Sequence, residues 1–329
     1  MSSPYNAKTT ASEVVKDLAA EIKGKVILTT GVSPDTLGAY FVTTIAQAEP
    51  SMLILAGRSP AKVQKTADAI TSAHPNVKVR VLQLDLGSFS AVREAAATVN
   101  GWDDVPHIDV LVNNAGIMAV DYGLTPDGFE RQFGTNHLGH FLFTNLVMGK
   151  ILKSKSPRVI SVSSEGHRLS QIRWADYNFS NGETYDKWRA YGQSKTANML
   201  MILSIAQKLG PRVQAYSLHP GVISTHLNDH IDFEADVLSL RNTDRQEGNK
   251  EGWYDSYIFK TMEEGTSTHV YAAFSPQLKD HNGAYFEDTG LANPWVHTVR
   301  PWATSAIEAE RLWKLSEQLV GQEFNYASE

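Results

Sequence analysis

The sequence predicts an α/β fold: a doubly wound parallel sheet of about seven strands in a single domain. Three observations carry this. Short runs such as Lys25-Val-Ile-Leu-Thr29 and Met52-Leu-Ile-Leu-Ala56 are apolar on both faces, as central parallel strands should be. Longer segments of helical periodicity alternate with them throughout, which is the pattern of βα units. The predicted strands run out into small or polar residues, at Gly31, Gly57, Asp85, Asn113 and Ser163, where a chain turning at a sheet edge needs them.

In order, Ser12–Ile22 reads as a short amphipathic helix, Lys25–Thr29 as the first strand, and Thr30–Gly38 as a turn leading to a helix over Ala39–Gln47. Met52–Ala56 is the second strand. It is followed by a helix over Pro60–Ala73, with Ser59 as N-cap and Pro60 as first helical residue. Val77–Leu84 and Ile108–Val112 are further strands on either side of a helix over Ser88–Val99. A helix over Asp127–Leu152 precedes a fifth strand, Arg158–Val162. The apolar run after Tyr191 is a helix reaching Leu209, and Val213–Leu218 is the sixth strand. Glu263–Phe274 is a helix and Gly283–Phe286 a seventh strand. Ser305–Val320 is an amphipathic closing helix with Leu312, Leu315 and Leu319 on one face. No linker, repeat or low-complexity tract divides the 329 residues.

Composition narrows the function. Apolar residues make up 42% and charged residues 20%, the balance of a folded globular chain. A formal net charge of −6 argues against a nucleic-acid surface. The chain has no cysteine, which removes disulfides, thiolate catalysis and thiolate metal sites and fits a reducing, cytoplasmic setting. No stretch approaches the ~18 apolar residues of a membrane span, and Met1–Thr10 lacks the apolar core of a secretory signal.

The chemistry centres on Tyr191-Gly-Gln-Ser-Lys195. Residues four apart share a helix face, so the phenol and the ammonium stand side by side. A nearby cation favours the ionised phenol, so the Tyr191 pKa is expected to fall toward the working range of an acid/base group. The first strand runs into Thr30-Gly-Val-Ser-Pro-Asp-Thr-Leu-Gly38, a turn whose free N–H groups and helix dipole suit a pyrophosphate. Gly31 can make the tight turn and Gly38 lets the helix approach the sheet. Asp35 stands near the usual middle glycine and reads as a helix N-cap. The second strand ends at Ala56-Gly-Arg58-Ser59 without the acidic residue that binds an NAD ribose. Arg58 instead suits the 2′-phosphate of NADP(H), with Ser33 and Lys62 as weaker candidates for the same group.

These residues stand in a pattern that resembles the short-chain dehydrogenase/reductase family, which has a Rossmann fold, and within it the retinol-dehydrogenase and WW-domain-oxidoreductase-like branch. The resemblance runs from about Gly24 to Gly321. It rests on Thr30-Gly31 with Gly38, Asp85-Leu86, Asn113-Asn-Ala-Gly116, Asn136-His-Leu-Gly-His140, Val162-Ser-Ser164, Tyr191-x-x-x-Lys195 and His219-Pro-Gly-Val-Ile-Ser-Thr225. It implies a cofactor site of Gly31, Ser33, Leu37, Gly38, Arg58, Lys62, Asp85, Leu86, Asn113, Ala115, Gly116, Tyr191, Lys195, Pro220, Val222 and Thr225. In it Asp85 and the Leu86 N–H meet the adenine, Asn113 and Ala115-Gly116 line the ribose side, and Val222 and Thr225 hold the carboxamide end. It further implies Asn136, Ser164, Tyr191 and Lys195 as the catalytic group: Ser164 on the substrate oxygen, with Ser163 as competitor, Tyr191 as proton donor, Lys195 on phenol and ribose, and Asn136 holding a water that leads to Lys195.

The implied activity is NADP(H)-dependent interconversion of a small-molecule carbonyl and alcohol. The same scaffold also supports non-redox chemistry in a biosynthetic pathway (secondary metabolism), or a silent nucleotide-binding protein. Residues Glu165 to Ala190 read as a surface excursion whose aromatics pack on themselves, and residues 226 to 260 as a lid over the substrate. His226 and His230 have zinc-compatible spacing but no third ligand, so no metal site is expected. His137 and His140 read as packed or solvated. The apolar face of the Tyr191 helix could seat a second copy in a homodimer.

Overall fold

The computed structural model describes residues 3–225, 227, 229–254 and 258–326. Its strands are β1 Val26–Thr30, β2 Met52–Gly57, β3 Lys78–Gln83, β4 Val110–Asn113, β5 Arg158–Val162, β6 Gln214–Leu218, β7 Val222–Ile223, β8 Phe259–Lys260, β9 Tyr285–Glu287 and β10 Gly290–Leu291. Eight of these form one sheet in the order β10-β9-β6-β5-β4-β1-β2-β3, while β7 and β8 pair separately. All pairings in the large sheet are parallel except β9 with β10. The eighth strand was not anticipated. It is made by a turn at Asp288-Thr289, two non-glycine residues with φ of 50° and 59°, a conformation that hairpin turns need but these residue types do not advertise.

The helices are α1 Ala11–Asp17, α2 Ala19–Ile22, α3 Leu37–Ala46, α4 Pro60–Ala73, α5 Phe89–Asn100, α6 Arg131–Phe133, α7 Gly139–Ile151, α8 Lys187–Leu209, α9 Phe233–Gln246, α10 Met262–Phe274 and α11 Ala306–Val320. The strands separate two apolar layers by their two-residue period. Leu28, Ile54, Leu111 and Val159 face α5, α7, α8 and α11. Ile27, Leu53, Val112 and Ile160 face α1, α3, α4 and α10. The strand order reverses between β1 and β4, which opens a crevice at their carboxyl ends.

Several boundaries differ from the sequence reading. The first helix breaks at Leu18, and a capping box of Thr10 and Glu13 starts it. The helix expected from Asp127 starts at Arg131, because the Glu130 carboxylate caps the N–H groups of Gln132 and Phe133 at 2.8 and 2.7 Å. Asp127 instead accepts from Phe89 N at the start of α5. The same helix passes through a π-helical turn at Gly134–Leu138 before α7. The Tyr191 helix begins one turn early, capped by Asp186. Its Met199, Leu200, Ile202, Ile205 and Leu209 are buried within the chain, partly beneath α11, so this face offers no surface to a second copy. Among the described residues no helix is long and apolar enough to cross a membrane.

Gly139 marks where α7 crosses the end of the β3 loop: a Cβ there would lie 2.2 Å from Leu86 O. Gly139→Ala therefore overpacks a buried backbone crossing. It should lower unfolding free energy by about 1–3 kcal/mol in a urea titration; an unchanged midpoint would show that the crossing has slack.

Candidate active site

The crevice is a cavity of about 610 Å³ running along the strand ends. Its first wall is the β1–α3 turn. Gly31 takes φ 75°, and a Cβ on it would lie 2.7 Å from Ala115 Cα. A Cβ on Gly38 would lie 2.5 Å from both Asn114 Nδ2 and Gly31 O. Both glycines are thus demanded by close backbone approach. Asp35 is not the N-cap. It sits at φ 61°, whereas a cap needs extended backbone, and Thr36 fills that place, its Oγ1 accepting from Ala39 N and donating to Ser33 O. The extra residue of the loop therefore turns Asp35 out of the cavity, which Gly31, Ser33, Thr36 and Leu37 line.

Arg58, at the end of β2, is exposed at the cavity rim and makes no ion pair with any described residue. Lys62 stands on the first turn of α4, outside the lining, and Ser59 occupies the N-cap of that helix without a side-chain bond. Asp85 and Leu86 line the far end; the Asp85 carboxylate also accepts from Gly87 N at 2.9 Å and so fixes the turn there.

The end of β4 corrects one assignment. Asn113 does not line the cavity; it is buried and donates to Thr144 Oγ1 on α7. Asn114 lines it instead, donating to the carbonyls of Thr30 and Gly31. Asn136 also lies behind the lining, beside Gly116. It donates to Ile117 O and Ser194 Oγ and accepts from Ile117 N, which ties the Ala115–Ile117 loop to α8. A Cβ on Gly116 would lie 3.3 Å from Asn136 Oδ1 and 3.4 Å from Lys195 Nζ, so the three meet at one point.

The remaining catalytic candidates converge at the end of β5. Ser164 and Tyr191 stand side by side over Gly166, where a Cβ would lie 2.8 Å from Tyr191 Cε1 and 3.2 Å from Ser164 Oγ, and Ser164 Oγ accepts from Gly166 N at 2.9 Å. Ser163, its competitor, donates to Lys195 O and serves packing. Lys195 Nζ donates to Val162 O at 3.0 Å and lies 5.6 Å from the Tyr191 ring centre. The expected fall in the phenol pKa does not occur. Burial pushes Tyr191 up to about 12, against the opposing effect of the neighbouring Ser164, and pushes Lys195 down to about 8. Loss of hydration outweighs attraction because the ammonium is turned to a carbonyl and not to the phenol.

Pro220, Val222 and Thr225 line the opposite wall, where Gly221 takes φ 97° against the Lys260 side chain. Beyond Tyr191 the cavity continues between Leu169, Trp188, Val237, Leu240 and Phe259. Of the aromatics in the excursion before α8, Trp174, Tyr177 and Phe179 pack inward and Trp188 lines the chamber. His226 and Tyr257 lie outside the described residues. His230 hydrogen-bonds Met118 O, and no group of three metal-ligating residues occurs among the described ones.

Sequence reasoning missed Arg168. It is buried and bidentate to Asp244 of α9 at 2.9 and 3.0 Å, with Glu165 at 3.3 Å and Glu251 at 3.7 Å. Its place in a polar Glu-Gly-His-Arg run gave no sign of partners so distant in the chain.

A parallel sheet with this switch-point cavity and a Ser-Tyr-Lys corner defines a dinucleotide-dependent oxidoreductase architecture. Residues 25–235 match the short chain dehydrogenase family, and the chain belongs to that family, in its retinol-dehydrogenase branch. It is 32% identical to human retinol dehydrogenase 11 over 98% of this chain and 93% of that one. It is likewise 32% identical to the chloroplastic short-chain dehydrogenase TIC 32 A of Brassica napus, over 97% and 95%. Among solved structures, an uncharacterized protein from Mycobacterium paratuberculosis superposes with a TM-score of 0.67 at 30% identity, covering 94% of this chain and 98% of that one. The NADPH-bound carbonyl reductase from chicken fatty liver shares the fold, with a TM-score of 0.56 at 18% identity over 80% and 96%.

The buried ammonium has a thermodynamic signature. Its folded pKa of about 8 lies below the ordinary 10.5, so between those values the unfolded chain binds more protons. Stability must therefore rise with pH across that window. Urea unfolding at pH 8 and pH 10 should show wild type gaining on Lys195→Met over that interval; a constant difference would contradict the burial of a titrating amine.

Proposed function

We propose that this protein is an NADP(H)-dependent reductase of apolar ketones or aldehydes, with Tyr191 as the acid. The observation that carries the reading is the closed corner where Ser164, Tyr191 and Lys195 meet at the junction of a dinucleotide-sized cleft and an apolar chamber. The residues fit the cofactor. The glycine turn leaves room for close approach, Arg58 is uncommitted at the ribose-phosphate end, and Lys195 stands where a nicotinamide ribose would reach it.

When bound, the reduced nicotinamide supplies the hydride, and carbonyl plus NADPH plus one proton gives alcohol plus NADP⁺. The protein's part is to hold the carbonyl oxygen between two hydroxyls. Ser164 positions it and Tyr191 delivers the proton. A phenol with a pKa of about 12 is fully protonated at neutral pH, the state an acid needs in the reducing direction. Leu169, Trp188 and Leu240 exclude water from that corner. The segment from Asp232 to Trp253 acts as the lid, held down by Arg168.

Tyr191→Phe should lower the rate of carbonyl reduction by about 10²–10⁴-fold while NADPH still binds, measured by cofactor oxidation and by fluorescence titration. Wild-type turnover in that variant would end the assignment. Arg58→Ala should weaken NADPH by about ten- to a hundred-fold and leave NADH unchanged, because it removes a charge-assisted bond to the 2′-phosphate. Equal losses for both cofactors would place the phosphate elsewhere.

A further inference from the structure

The substrate chamber contains an acid for which the reaction has no use. Its walls are mostly carbon, yet Glu165, the residue after Ser164, also lines it, and so does His219 at the end of β6. A carboxyl group in such a place loses hydration and needs compensation.

The compensation within the chain is incomplete. Among the described residues, both ion-pair contacts of Glu165 run through Oε2, to Arg168 Nη1 at 3.3 Å and to His219 Nε2 at 3.9 Å, the latter too long for a hydrogen bond, while Lys250 acts on it only from beyond ion-pair distance. Arg168 is already committed, with Nε and Nη2 on Asp244 and with Glu251 3.7 Å away. One guanidinium therefore faces three carboxylates. His219 adds no positive charge, because burial holds its imidazole neutral, and its Nδ1 is buried without a hydrogen bond. The Glu165 carboxyl is a quarter exposed, on the cavity side, beside the serine that holds the reacting oxygen. Whether ionised or protonated, it keeps an acceptor oxygen for a guest.

We infer that Glu165, with His219 beside it, recognises a hydroxyl group on the substrate close to the reacting carbonyl, so that the protein selects hydroxyketones over plain ketones. The inference rests on the reductase reading above and adds the substrate class. An apolar body fills the chamber of Leu169, Trp188 and Leu240, while its hydroxyl donates to the carboxyl. A site built to bond a hydroxyl rejects the analogue lacking it more strongly than an apolar wall rejects a change of size.

The test is NADPH oxidation with three probes: decan-2-one, 1-hydroxydecan-2-one and 4-hydroxydecan-2-one. Wild type should show a kcat/KM about ten- to a hundred-fold higher for one of the hydroxyketones than for decan-2-one. Glu165→Leu should bring that ratio to about one. Glu165→Gln, which keeps the shape and a neutral acceptor, should lower it several-fold. Because the readout is a ratio within one protein sample, a general loss of folded enzyme does not move it, and the glutamine variant serves if the leucine variant does not fold. The inference is overturned if wild type reduces all three ketones equally, or if the preference survives either substitution. If NADPH is oxidised with none of the three, the reductase reading itself fails, and this one with it.

Discussion

One side-chain oxygen, Thr30 Oγ1, holds the two halves of the sheet in register at the cleft. It accepts the N–H groups of Asn114 and Ala115, both at 3.0 Å, and meets His140 Nε2 at 2.9 Å. The other imidazole nitrogen, Nδ1, faces the carbonyl of Asn136, which can only accept, so Nδ1 carries the hydrogen and Nε2 accepts from the threonine hydroxyl. Burial keeps this imidazole neutral, with a pKa of about 4, so the tautomer persists at any physiological pH. The hydroxyl thus uses its one donor and two acceptor positions, and three segments (β1, the β4 turn and the first turn of α7) converge on it. Asn114 closes the arrangement from below by bonding the carbonyls of Thr30 and Gly31. The glycine turn can lie flat against Ala115 because these bonds draw the two chains together.

Desolvation sets the electrostatics of the site. Tyr191 rises, Lys195 falls and the histidines His137, His140, His167 and His219 all lose basicity, each with burial as the leading cause. Arg168 goes the other way, because Glu165, Asp244 and Glu251 around it outweigh the same loss of hydration. The Ser164, Tyr191 and Lys195 corner is therefore two neutral hydroxyls beside a buried amine, with the charges of Glu165 and Arg168 on the same cavity wall.

The sheet was legible in the sequence because the central strands carry apolar residues on both faces and run out into residues that turn. The Ser164, Tyr191 and Lys195 corner was legible for the same reason: its members sit at a strand end and one helical turn apart. Finer features depended on contacts that spacing does not encode. Asn113 and Asn114 differ by one residue, and strand parity alone sends the first into α7 and the second beneath Gly31. Thr36 takes the capping role because Asp35 is itself left-handed, where a cap needs extended backbone. The phenol pKa moved opposite to expectation because a helix projection gives proximity and says nothing of burial or of where the ammonium points. Arg168 had no local signal, since its principal partner lies 76 residues away.

The Asp232–Trp253 stretch is fastened at two places. Asp244 and Glu251 reach Arg168, four residues beyond Ser164, while Asp236 and Glu247 pair with Lys187 and Arg189 in the first turn of the helix that carries Tyr191. Trp188 adds a bond from its indole N–H to Asp236 O. The stretch whose Val237 and Leu240 line the chamber is thus moored to the two segments that bear Ser164 and Tyr191. Any outward swing of it must strain both moorings at once, so the chamber wall and the two hydroxyl-bearing segments shift together or not at all.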